Sequence, residues 1–242
     1  MPGGYGGPVR ATLRPAVAAV AAVLSLLAVA GCSSGGDGGA VEQSPAQQLA
    51  AARAKLEKSP AVDFTLESTG LPGKAVGVSA AKGTGVFTPP SFQGTLNASI
   101  RGITGTVQVV AVEQDVYMKF FTPSFVKIDP AKYGAPNPAQ LFNTSTGITS
   151  LITRTQDLAK ASTVRDGADV LNTFTGKLPG GAVADLLVTG DRNGTFDVTY
   201  GVTRSDKELR TVVIKGPFYA GATSTYTLHL TSLAKAVAIT RP

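Results

Sequence analysis

One cysteine, Cys32, and one histidine, His229, are all that a chain of 242 residues holds of the two side chains most used for metal binding, redox chemistry and nucleophile activation. A lone cysteine excludes an internal disulfide and a thiolate metal site. His229 stands among threonines in TYTLHLT, the setting of a solvated surface histidine. The patterns HxxEH, HExxH, GxSxG and GxxxxGK[ST] do not occur, so hydrolytic zinc, nucleophile-elbow and phosphate-loop chemistries have no recognisable carrier. Asp129 with Asp157, or Asp166 with Asp169, can be set side by side as carboxylate pairs, yet acids at such spacings in loops are ordinarily solvated. Strong charge is missing as well. Lys and Arg number 22 against 16 Asp and Glu, a net +6 that is scattered along the chain, whereas nucleic-acid binding calls for a clustered basic face. No cofactor and no nucleic-acid partner is implied, and no internal repeat occurs.

A membrane-spanning run is lacking too. The apolar run Ala16–Ala30 has 15 residues, short of the ~20 that cross a bilayer as a helix. It follows Arg10 and Arg14 with no acid before it, which makes it the apolar core of a leader over residues 1–31. An ordinary secretory signal cut after the small residues 28–31 would leave a free thiol. Val29-Ala30-Gly31-Cys32 instead reads as a bacterial lipobox, with cleavage before Cys32 and acylation of its sulfur. Two or three acyl chains on one residue exceed what stable anchoring takes. The expected mature chain is Cys32–Pro242, lipid-anchored on the extracytoplasmic face of the cell membrane. Loss of Arg10 and Arg14 lowers its charge to +4.

Residues 32–44 form the acylated cysteine and a Gly/Ser-rich tether, and 45–242 a single domain large enough for a real core. Ser44-Pro45 reads as an N-cap and first helical position, followed by Leu49, Ala52 and Leu56 at helical spacing. The period then changes to two. Val62, Phe64 and Leu66, then Phe92 to Ile100, Phe196 to Val202, and Tyr226, Leu228 and Leu230 each alternate with polar residues, as in antiparallel strands with one face in water. VQVVAVEQDVYMKFF (107–121) predicts two central, covered strands joined by a hairpin at Glu113-Gln114-Asp115. GITSLITRTQDLAK (147–160) predicts a helix, and 179–187 a second short one. The expected class is α+β, a long antiparallel meander with a few inserted helices. That pattern leaves a wide apolar face with few helices to cover it, closed either as a core or as a cavity.

The stretch VVAVEQDVYMKF…FVKIDPAKYGAPNPAQLFNTSTGITSLI (109–152) resembles the mycobacterial lipoprotein family of LppX, LprA, LprF and LprG. The likeness rests on a hairpin ending in an apolar-Tyr pair (Val116-Tyr117), on Pro138-Ala139-Gln140-Leu141, on Thr146-Gly147-Ile148, and on the lipobox with its Gly/Ser tail. It runs from Cys32 to the C-terminus, with only the middle specific, and Phe125 stands where some relatives place tryptophan. The resemblance implies a strongly curved antiparallel β half-barrel with a few helices on its concave side, enclosing a large apolar cavity for multi-acylated lipids. It further implies transport of envelope glycolipid or triacylglycerol toward the outer envelope, beside a major-facilitator exporter. No catalytic residue is implied.

Candidate cavity residues are Phe64 and Leu66; Phe92, Leu96, Ala98 and Ile100; Val109, Met118 and Phe120; Ile148, Leu151 and Ile152; and Val198 and Leu228. Two other readings stay open. One is an anchored scaffold or exporter accessory that binds no ligand, the other an enzyme acting on envelope lipids or glycans through unrecognised carboxylates.

Overall fold

The computed structural model describes residues 43–73, 75–100 and 103–242, apart from the side chain of Ile100. The leader, Cys32 and all but the end of the tether lie outside these residues. Helix α1 (Pro45–Glu57) begins where expected. The Ser44 hydroxyl accepts the Gln47 amide, and the Gln47 side chain accepts the Ser44 N–H in return, so two otherwise unpaired helix-end donors are satisfied. Its buried side chains are Leu49, Ala52 and Leu56, each leucine worth about 1.5–3 kcal/mol of burial.

Strands β1 (Ala61–Thr69), β2 (Gly77–Phe87), β3 (Pro90–Ile100), β4 (Ile103–Val112), β5 (Asp115–Lys119) and β6 (Val126–Ile128) form one half of an open antiparallel sheet. Strands β7 (Gln156–Asp166), β8 (Asp169–Pro179), β9 (Thr195–Thr203), β10 (Leu209–Tyr219) and β11 (Ala222–Leu233) form the other. Among the described residues the order is β6-β5-β4-β3-β2-β1-β11-β10-β9-β8-β7. The first and last strands therefore meet in the middle, with Phe64 opposite Leu230 and Leu66 opposite Leu228. Directly opposed residues share a face, so register carries the apolar face outward in both directions. Leu66 opposes Ala81, Ala81 opposes Leu96 and Leu96 opposes Val107 on one side; Leu228 opposes Val212, which opposes Tyr200, on the other. The opposite face is polar. There the Thr84 hydroxyl donates to Asp63 at 2.6 Å, and His229 Nδ1 lies 3.4 Å from Asp166 Oδ2 with both side chains partly exposed.

Two expectations need correction. The 147–160 helix is short: a 3-10 turn at Ile148–Ser150 leads into α2 (Leu151–Arg154), and the remainder is strand β7. The Thr155 hydroxyl, bonded to the Leu151 carbonyl and 2.8 Å from the Tyr200 hydroxyl, stands where the helix stops. Edge strand β7 is exposed along nearly all its length, so its pairing to β8 and not an apolar stripe decides its conformation. The 107–121 hairpin turns at Glu113 as expected, but β4 and β5 are near an edge and are covered on one face, with Gln108 exposed and Val110 and Tyr117 half-buried. The expected short helix at 179–187 is α3 (Gly180–Leu187).

The two edge strands, β6 and β7, are joined by residues 129–155, which cross over the apolar face. This crossing carries 3-10 turns at Pro130–Tyr133 and Pro138–Phe142 before α2. It forms a roof over the sheet, and its backbone hydrogen bonds among the described residues run within itself.

Candidate functional site

Between the sheet's apolar face and the roof lies a pocket of about 130 Å³. Its floor is Phe64 and Leu66 of β1, Phe92 and Leu96 of β3, Val212 and Ile214 of β10, and Leu228 and Leu230 of β11. Its roof is Pro136, Pro138, Leu141, Phe142 and Ile148, and its rim Val76, Val78, Leu187, Thr189, Tyr219 and Tyr226. A smaller pocket of about 50 Å³ continues toward β5, lined by Ala98, Val109 and Met118 among others, and shares Leu96, Gly77, Val78, Ala135, Pro136 and Pro138 with the first.

The roof sits where it does because proline, capping and aromatic contacts fix it. Asn137 caps the turn by accepting the Ala139 N–H at 3.0 Å, and its amide donates to the Glu113 carbonyl at 2.8 Å, a carbonyl also reached by Gln140 at 3.0 Å. Phe142 completes a cluster with Phe64, Phe87 and Phe92, its ring centroid 5.8, 5.6 and 6.4 Å from theirs. At the other end of the roof, the Arg53 guanidinium donates to the Thr144 carbonyl. Glu57 takes a hydrogen bond from the Thr149 hydroxyl at 2.5 Å and from Arg53 at 2.7 Å. The recognisable Pro138-Ala139-Gln140-Leu141 stretch is thus the roof itself, docked on the β4–β5 turn.

Among the described residues, the pocket walls carry no charged side chain. Polarity enters only at the rim, where the Tyr219 and Tyr226 hydroxyls are 3.0 Å apart and the Tyr226 hydroxyl donates to the Val78 carbonyl at 3.4 Å. Burial pushes the Tyr226 phenol well above its ordinary value, and the hydrogen bond with Tyr219 raises it further, so it stays neutral. Such a site offers apolar surface to chains and hydroxyls to an ester or sugar head group.

Of the candidate residues, Phe64, Leu66, Phe92, Leu96, Ile148 and Leu228 line the first pocket, and Ala98, Val109 and Met118 the second. Leu151, Ile152 and Val198 lie in the packed core, away from the walls. Phe120 stacks obliquely on Phe121 at 4.2 Å between centroids. Cys32 and the Ile100 side chain fall outside the described residues. Sequence reading missed the rim tyrosines and the prolines of the roof, because their partners are remote in the chain and periodicity reports only a face. Of the four aspartates considered as pairs, Asp129 caps the 130–133 turn, Asp166 faces His229 and Asp169 lies 3.2 Å from Arg210, while Asp157 is the second residue of β7 with a left-handed φ of 52°.

A family model described as LppX_LprAFG lipoprotein matches residues 44–239. Among solved structures, the crystal structure of Mycobacterium tuberculosis lipoprotein LppX matches with a TM-score of 0.61 at 14% identity, over 81% of this chain and 98% of that one. The crystal structure of LprF from Mycobacterium bovis matches with a TM-score of 0.65 at 13% identity, over 82% of this chain and 96% of that one. At these identities the likeness shows the fold. No curated protein sequence matches.

Proposed function

This chain belongs to the LppX_LprAFG lipoprotein family, and we propose that it is a membrane-anchored carrier of multi-acylated envelope lipids. Cys32, once acylated, holds it on the extracytoplasmic face of the cell membrane, and the domain from residue 45 takes the lipid between sheet and roof. The observation that carries this reading is an uncharged, continuous apolar surface from β5 to β10, covered by a segment whose backbone does not pair with the sheet.

The open space of about 130 Å³ is near the size of an engineered cavity that takes benzene, roughly 150 Å³. Several acyl chains need far more, so loading requires the 134–148 roof to lift. That motion exchanges apolar contacts with Phe142, Leu141 and Ile148 for apolar contacts with the chains, and the hydrogen bonds of Asn137 and Gln140 to the Glu113 carbonyl must yield or act as its hinge. Without a carrier, tens of methylenes at about 0.8 kcal/mol each must enter water. A shelter for those chains lowers the barrier to desorption, and no nucleophile takes part. The resemblance of the sequence to lipoproteins that work beside a major-facilitator exporter supports such an exporter as the partner beside which it loads, and transfer toward the outer envelope as the direction.

The narrowness of the pocket favours a second reading, an anchored scaffold or exporter accessory with a closed core and no ligand. Purified Cys32→Ser chain, extracted with organic solvent and examined by mass spectrometry, separates the two. Multi-acyl lipid near one-to-one stoichiometry supports the carrier; lipid-free protein from cells that make such lipids supports the scaffold.

A further inference from the structure

Among the described residues, five of the six exposed large hydrophobic side chains gather at one end of the sheet. Val76 (56% exposed) precedes β2, Ile103 (56%) opens β4, Phe121 (86%) follows β5 and Val126 (51%) opens β6, while Val188 (50%) caps α3 beside the pocket residues Leu187 and Thr189. Strands β2 to β6 are consecutive neighbours, so the first four residues form a row about 19 Å long at ~4.8 Å per strand. The row begins at the pocket mouth, whose rim includes Val76. Phe121 is held outward by a left-handed backbone, φ 54°, an uncommon conformation for a bulky residue, and Val188 by another, φ 58°. Such outliers concentrate at functional edges.

The connections that flank the row, residues 70–76, 101–102 and 120–125, contain Lys74 and Arg101 in sequence and no acid, and Lys119 closes β5 beside them. Lys119 has no acidic partner among the described residues.

We infer that Val76, Ile103, Phe121 and Val126, with Lys119, form a lip that seats the pocket mouth on a lipid bilayer bearing anionic head groups. An exposed apolar row demands a covering surface, and the cationic, acid-free loops match the negative charge of such a bilayer. Continuity of the row with the pocket decides against a protein partner, because a chain leaving the bilayer at the lip passes from one apolar environment to another without meeting water. This deepens the carrier reading by naming the surface it loads from, yet docking is measurable apart from cargo.

The test uses the chain from residue 33, which keeps the whole sheet and core and has no acyl anchor. Its sedimentation is followed with vesicles of phosphatidylcholine alone or of equimolar phosphatidylcholine and phosphatidylglycerol. Binding to the anionic vesicles, weakened by salt, is expected. Phe121→Ser should lower the affinity by roughly tenfold or more, from the loss of a buried phenyl group. Lys119→Glu should lower it by about fivefold or more and flatten the salt dependence. Lys215→Glu, an exposed lysine on β10, three strands from β2 where the row begins, should change little and controls for net charge. Parent-like binding by Phe121→Ser, an equal loss in Lys215→Glu, or no binding at all to the anionic vesicles would overturn the lip. Docking by protein that carries no lipid would sustain it while removing the carrier reading; unaltered cargo with lost docking in Phe121→Ser would sustain both.

Discussion

The phenyl ring of Phe142 lies flat over Gly85, so close that a Cβ at residue 85 would overlap it. One comes from the roof, the other from near the end of β2, shortly before Phe87, and their meeting explains why a strand near the sheet centre has a glycine where a side chain would otherwise fill the apolar face. Gly85→Ala should therefore destabilise the protein by about 1–3 kcal/mol through overpacking. Phe142→Ala should cost roughly 3–5 kcal/mol. In the double variant the alanine at residue 85 has no ring to meet, and its penalty should largely vanish. Denaturant unfolding of the four chains measures the coupling. Additive losses would mean that the ring does not rest on the strand and that the roof is not held there.

Leu96 tests the space beside that contact. It is partly buried and forms part of both pocket walls. Leu96→Trp should fill the passage between the pockets, lower lipid uptake and barely alter the melting temperature. In a closed core the same change is overpacking, at roughly 1–3 kcal/mol. A large fall in melting temperature with lipid retained would place Leu96 in packed core and transfer the cargo site elsewhere.

What could be read from sequence divides along a physical line. The cap at Ser44, the α1 stripe of Leu49, Ala52 and Leu56, and the alternation Val62, Phe64, Leu66 are local signals, and each is found in the structure. Strand β2, GVSAAKGTGVF, was invisible because its faces are built from Gly and Ala, which give no alternation; Gly83 and Gly94 are opposed so tightly that a Cβ on either would strike the neighbouring backbone. Leu151, Ile152 and Leu158 imitate a helical stripe, although Leu158 belongs to β7. The roof was legible as a family-like motif, but its role depends on Gly85, Phe64 and Glu113, which only the fold brings beneath it.

The C-terminal tail offers a titratable contact. Residues 234–242 run from the central strand β11 to the β4–β5 turn, where Arg241 Nε is 2.8 Å from Asp115 Oδ2 and Nη2 is 3.2 Å from Glu113 Oε2. Hydrogen bonds first from Lys127 and then from Arg241 hold the Asp115 carboxyl below its ordinary value of 3.8. A lowered folded-state value stabilises the tie above the ordinary value and loses it as pH falls through the folded one. Fast backbone motion of 234–242, read from heteronuclear nuclear Overhauser effects, should accordingly stay low from neutral pH down to about the ordinary carboxylate value, and rise below it. Arg241→Gln should raise it throughout, and salt should weaken the tie because the groups are exposed. Motion in Arg241→Gln equal to that of the parent at neutral pH would show that the tail is held by other contacts.

The proposed anchor restricts where a carrier built this way operates. Cys32 is followed by residues 33–44, 12 residues rich in Gly and Ser, before α1. A random coil of 12 residues spans about 20 Å on average, from ~5–6 Å × √12, and any chain of that length fully stretched about 40 Å. That is comparable to the domain's own width, so an acylated chain turns and tilts at the membrane that holds it and does not cross a periplasmic space. Cys32→Ser should abolish labelling by fed radioactive palmitate while the fold persists, since the thiol precedes the domain. Deleting 34–42 should impair lipid export in cells, because the mouth loses the freedom to reach the bilayer, while binding of lipid by the purified chain remains. Lengthening the tether with Gly and Ser should be tolerated, as each doubling of a flexible loop costs only about 0.6 kcal/mol. Full export by a freely diffusing Cys32→Ser chain would leave the tether without a mechanistic role, and would make the molecule a soluble ferry.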